Sequence, residues 1–218
     1  MNGNERLIGR LLRAGTTGFV AGCRVSRLEA LAFGALVRVE LDADQAVYGL
    51  IYDIRIDDDG LVRQLALADA VAENIIHDNR TNRNVPVEIS VLATGCRQGE
   101  SISHLLPPRP PLSLDDLTIC DDEEIVRFTG TPHLGYFRHV LRAQDLPVGD
   151  LLAAHIRQAQ AAHERLADRG GDPQWSRKAV AHIITLLRDD YDRLIQVLDA
   201  LGDALPGEWE TPKQAIAD

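Results

Sequence analysis

Within SHLLPPRPPLSLDD, residues 103–116, four prolines fall in five positions: Pro107, Pro108, Pro110 and Pro111, with Arg109 between them. No other stretch of the 218-residue chain restricts the backbone as severely. A proline has no N–H to give to a sheet ladder, and it pushes the residue before it to extended geometry. Neither a helix nor a central strand runs through such a segment. It reads as a rigid exit from a last strand and a linker, rather than as a polyproline ligand for another protein.

The two sides of the prolines have different periods. Before them, RLIGRLLRAGTTGFVAGCRV is two short apolar runs around the turn-forming Gly15-Thr16-Thr17-Gly18. ALVRVEL and AVYGLIYDIRI alternate apolar and polar residues at the strand period. Asp59-Gly60, between AVYGLIYDIRI and LVRQLAL, predicts a hairpin. VPVEISVLATGC and ESISHLLPP complete the set, with one helix expected near residues 68–79. Five or six short strands with glycine turns predict a small closed β-barrel over residues 1–111.

After the prolines the period is helical. Leu152, Ile156, Ala159, His163 and Leu166 follow a 4-3-4-3 spacing. Val180, Ile184, Leu187, Tyr191, Leu194, Leu198, Leu201 and Leu205 do the same. Gly170-Gly171 closes the first of these helices, and Asp172-Pro173 starts the second as cap and first position. The expectation is an α+β chain: the barrel, then an α-helical domain over 112–218 built on a long antiparallel hairpin whose second helix spans 174–204. That second helix is longer than its partner. Val180, Ile184, Leu187, Tyr191, Leu194 and Leu198 therefore need further cover, and a homo-oligomer, most simply a two-fold dimer, provides it.

The order IGRLLRAGTTGFVAGC, FGALVRVEL with YGLIYDI, VPVEISVLATGC and ISHLLPPRPPLSL resembles the HAS-barrel. This small barrel precedes the motor domain of HerA-type DNA-translocating ATPases and is related to the N-terminal barrel of the F-type ATP synthase α and β subunits. The likeness covers residues 6–111, half the chain. It implies subunit contacts and docking of a partner nuclease. The motor itself is missing from the pattern: G-x-x-x-x-G-K-[ST] requires a lysine after a glycine, and the only lysines, Lys178 and Lys213, do not follow one. The expectation is a non-catalytic interaction and assembly module, with a HerA-type ATPase or nuclease as partner.

Charge and chemistry narrow the alternatives. The net charge is −10, and most of it lies after the prolines, where 19 acids face 11 bases against 14 and 12 before them. A chain so acidic lacks the surplus cations that phosphate neutralisation needs. Arg6, Arg10, Arg13, Arg24 and Arg27 meet only Glu5 and Glu29 in the first 29 residues, so they form the candidate nucleic-acid surface. Aromatics for base stacking are scarce there, with only Phe19 and Phe33 at hand. Cys23, Cys96 and Cys120 are odd in number and contain no C-x-x-C pair, which favours neither a zinc site nor a disulfide framework. His155 and His163 are too far apart to chelate as i,i+4 neighbours, and His163 on an apolar seam reads as a packed, hydrogen-bonded interface residue. Cys96, Ser101, Ser103 and His104 lie close together without any nucleophile elbow. No cofactor is implied. With no apolar run of membrane-spanning or signal-peptide length, the expected location is the cytoplasm, with no membrane partner.

Overall fold

The computed structural model describes residues 6–56, 60–68, 70–81 and 87–205. Contacts divide the chain into two units, one reaching to Cys120 and one beginning at Asp121.

Seven strands build the first unit: β1 (Leu7–Ala14), β2 (Gly18–Cys23), β3 (Leu36–Glu40), β4 (Gln45–Ile56), β5 (Val87–Gln98), β6 (Ser101–Ser103) and β7 (Asp116–Ile119). They lie in the order β2-β1-β7-β3-β4-β5-β6, and a further pairing of β2 with β5 closes six of them into an antiparallel barrel. β6 stands outside that ring as a short hairpin on the end of β5. Strand alternation aims Ile8, Leu11, Phe19, Ala21, Val37, Val39, Val47, Ile51, Ile89, Val91 and Leu117 into one core. β4 is buried on both faces from Ala46 to Ile51, so its sequence reads as an unbroken apolar run there. Gly49 sits in that run because nothing larger fits: a Cβ would lie 2.5 Å from Val91 Cγ1 and 2.6 Å from the Leu92 carbonyl oxygen.

Two features of the first unit differ from the sequence-based expectation. LVRQLAL is not the return strand of a hairpin. Leu61–Ala66 is a helix, α1, and Glu73–Thr81 is a second, α2. β4 pairs with β3 over residues 46–50 and with β5 along its whole length, and no described residue from 61 to 81 lies in a strand. Asp57, Asp58 and Asp59 lie outside the described residues. Nor do the prolines end the barrel. The chain leaves β6, passes through them and returns as β7, which inserts between β1 and β3. The barrel unit thus ends at Cys120 rather than at 111, and the proline stretch is a connector inside it.

The second unit is helical: α3 (Asp122–Thr129), α4 (Phe137–Arg142), α5 (Val148–Arg165), α6 (Trp175–Leu187) and α7 (Tyr191–Ala204). α3 starts on a capping box, with Asp121 accepting from the Glu124 amide and Glu124 accepting from the Asp121 amide. The acidic run CDDEEIVRF is therefore a helix start, as its charge pattern predicts. The single long helix expected over 174–204 is two helices. Asp190 breaks it, its carboxylate accepting from the Arg193 amide as the N-cap of α7. Both α6 and α7 pack on α5, so three helices replace the long hairpin. The start of α6 also differs slightly from expectation. Asp172 caps the turn ahead of it, accepting from the Gln174 amide, and helical geometry begins at Trp175.

Candidate functional site

The proline connector is held rigidly at both ends. Arg109 reaches Asp42 in the β3–β4 turn at 3.0 Å. At the far end, Leu114 donates its amide to Leu11, Leu11 donates to Asp115, and the Leu112 amide meets the Asp115 carboxylate at 2.7 Å. Pro107 and Pro111 are buried. An intramolecular arginine and two buried prolines leave little of the motif for a polyproline-binding partner. What the connector does present is leucine. Leu105, Leu112 and Leu114 are 60%, 69% and 70% exposed, and the Leu12 carbonyl of β1 accepts from the Ser113 hydroxyl between the last two. Leu114 also has φ +73°, a left-handed conformation that a γ-branched side chain adopts only at a cost.

Of the five candidate arginines, β1 carries two. Arg10 pairs with Asp116 at 3.0 Å and Arg13 with Glu88 at 3.5 Å, all four groups at or near the surface. The antiparallel register Arg10↔Gly22 and Arg13↔Val20 places Arg6, before β1, and Arg24, after β2, toward one end of the pair, with Arg13 toward the other. Arg27 follows in a short 3-10 helix, Val25–Ala30. The structure therefore spreads the five along the barrel, and two face carboxylates. Around Arg10 and Arg13 the surface is of mixed charge.

The predicted interface seam is divided between core and surface. Val180 and Leu187 are buried within the helical unit, as are Ile183, Val197, Leu201 and Leu205. Leu194 and Leu198 are half-buried. Ile184 and Tyr191 remain at the surface, 37% and 71% exposed, with Ile195 at 39%. The break at Asp190 turns α7 relative to a continuous helix, so the 4-3 spacing does not carry one face through it.

At the heart of the helical unit lies a network that sequence reasoning saw only in part. Phe128, Tyr136, Phe137 and Trp175 are buried together with His155 and His163. Tyr136 stacks obliquely on Phe137 at 4.4 Å, and its hydroxyl meets His155 Nε2 at 3.0 Å. Burial pushes that phenol well above its ordinary pKa, so it stays protonated. The Trp175 indole lies parallel to the His163 ring at 5.1 Å and donates to the Thr129 carbonyl. Gln160 ties the start of α6 down, accepting from the Ser176 amide and donating to the Pro173 carbonyl. Asp122 forms a two-pronged pair with Arg165, and the guanidinium hydrogen bonds hold its carboxyl below the usual range. The seam position predicted that His163 packs inward; His155 lies off that stripe, and its burial was not predicted. The aromatic partners on α3 and α4 carry no periodic signal, being set in short helices.

The network packs and orients these side chains around Trp175. Cys96 faces Ser103 across the β5–β6 hairpin, with His104 buried next along the chain, and burial raises the Cys96 thiol pKa rather than activating it. Among the described residues no group of three or more histidines, cysteines or acids could hold a metal ion. No described helix is long and apolar enough to cross a membrane. No protein-family model matches the chain, and none of the curated proteins matches it.

Proposed function

We propose that this chain is a non-catalytic interaction module, a HAS-type barrel that docks a HerA-type ATPase or its nuclease and self-associates through its helices in the cytoplasm. The observation that carries this reading is the connector: exposed leucines held out on a pinned scaffold, one of them in a strained backbone conformation. Folding and solubility would both be better served by another residue at 114, and strain retained at the surface is a mark of recognition. The closed barrel supports the family likeness, and the lack of a phosphate-binding loop supports a role without catalysis. Dimerisation draws on Ile184, Tyr191 and Ile195, with Leu194 and Leu198 beneath them.

Leu114→Gly separates fold from function. Relief of the left-handed penalty is expected to stabilise the free protein by about 1 kcal/mol. Association with a purified HerA-type ATPase or nuclease, followed by size-exclusion chromatography, is expected to weaken in the same variant. Failure of the wild-type protein to associate with either at micromolar concentration overturns the docking role. For self-association, Tyr191→Glu with Ile195→Glu should convert a dimer into a monomer in light scattering, and a wild-type protein already monomeric there removes that part of the proposal.

A further inference from the structure

His163 is wired so that it can serve only as a neutral ring. The Asp172 amide points at Nδ1 at 2.9 Å, and an amide N–H can only donate, so Nδ1 carries a lone pair. The proton of the neutral ring then sits on Nε2, 2.8 Å from Thr129 Oγ1. Thr129 passes its own hydroxyl proton on to the Ile125 carbonyl at 2.6 Å. The relay runs one way: Asp172 to His163 to Thr129 to Ile125. A second proton on the ring would place a donor on Nδ1 facing the Asp172 donor.

We infer that His163 is a pH-sensitive latch on the α5–α6 loop, closed when the ring is neutral and opened when it takes up a proton. The loop it holds is short and closely laid. Gly171 donates to the Leu166 carbonyl at 2.8 Å while Asp172 bonds the ring, and the next turn delivers Trp175 into the aromatic core. Loss of the Asp172 bond frees the Gly171–Asp172 step, while Gln160 still holds Pro173 and Ser176 and the Thr129 carbonyl still holds the Trp175 indole.

The surroundings favour the neutral form. Burial disfavours the charged ring most, Lys178 on α6 repels it, and Asp172 in the loop attracts it, with a net lowering from 6.5. Asp172 is itself engaged by the Lys178 ammonium and the Gln174 amide. α3 contributes the uncharged Thr129, its Asp122 being bound by Arg165. On α5 itself, Glu164 accepts from Gln160, and His155 lies across Trp175. The open loop exposes a ring that titrates near 6.5, whereas the closed loop holds it below that value. The open form therefore binds the extra proton in the window beginning at 6.5 and running down to the folded value. Latch stability is complete above that window and is lost as pH falls through it.

Hydrogen exchange across pH tests this directly. In the wild-type protein, protection of the Asp172 amide is expected to fall as the pH drops below 6.5, by at most about tenfold per pH unit under one-proton linkage, and to level off where the closed ring itself takes up the proton. Barrel amides such as Val39 should hold their protection. His163→Asn keeps an acceptor near the Nδ1 position without titrating, so its Asp172 protection should be flat over the same range. Flat protection in the wild type, an equal fall in the variant, or a parallel fall at Val39 each overturns the proposal. Should the variant fail to fold, the wild-type ring resonances decide. His163 and the Asp172 amide must titrate together, and a ring titrating without movement of that amide refutes the latch.

Discussion

Gly171→Ala is expected to destabilise the helical unit by about 3 kcal/mol or more, an effect as large as emptying a core position. A Cβ at 171 would stand 2.1 Å from the His163 carbonyl oxygen and 2.8 Å from the Leu166 carbonyl carbon. All these neighbours are backbone, so no rotamer change relieves the clash. The Gly170 neighbour requires glycine for a different reason, its φ of +99°, and a Cβ there meets open space. Gly170→Ala should therefore cost only about 1 kcal/mol. For a unit of this size, 3 kcal/mol lowers the melting temperature by roughly 12–24 °C. Thermal unfolding followed by helical circular dichroism measures both. Equal losses at 170 and 171 would sink the close-approach argument.

Gly49→Val in the barrel should behave against its own propensity. Valine favours strands and glycine weakens them, so propensity alone predicts a gain. The close approach of Val91 and of the Leu92 backbone reverses the sign, and about 3 kcal/mol of destabilisation is expected, at the upper end of overpacking. Urea unfolding of the barrel signal gives the answer. A neutral or stabilising result means that β5 can move away from β4.

How legible each element was in the sequence follows from how local its cause is. β1 to β5 announced themselves because each carries its own short apolar or alternating run bounded by turn residues, and α5 because Leu152, Ile156, Ala159, His163 and Leu166 share one stripe. β7 was hidden. DLTI is four residues long, and it is a strand only because β1 and β3 leave a slot for it. The helical fate of LVRQLAL was hidden because so short an apolar run fits either period. Asp190 was visible as a residue but not as a break, since the apolar 4-3 spacing on either side masks the cap. At the candidate sites, residue types were readable and arrangement was not. The five arginines look continuous in sequence, while their partners, Asp116 and Glu88, come from strands far along the chain.

That late strand sets an order of events for folding. β7 supplies the seam between β1 and β3, so the first strand of the chain lacks one neighbour until nearly the last residue of its unit has been made. Arg10 and Asp116, which face each other across that seam, are 106 residues apart. Loop-closure entropy must be overcome before such a contact returns any energy, and long-range strand pairing folds slowly for this reason. The helical unit builds mainly from neighbours close in sequence and escapes that delay. During synthesis the barrel therefore stands as an open sheet, with the inner faces of β1 and β3 accessible, until Ile119 has left the ribosome. A chaperone that covers apolar strands would find its substrate in that interval, and removal of residues 116–119 would leave the chain there permanently.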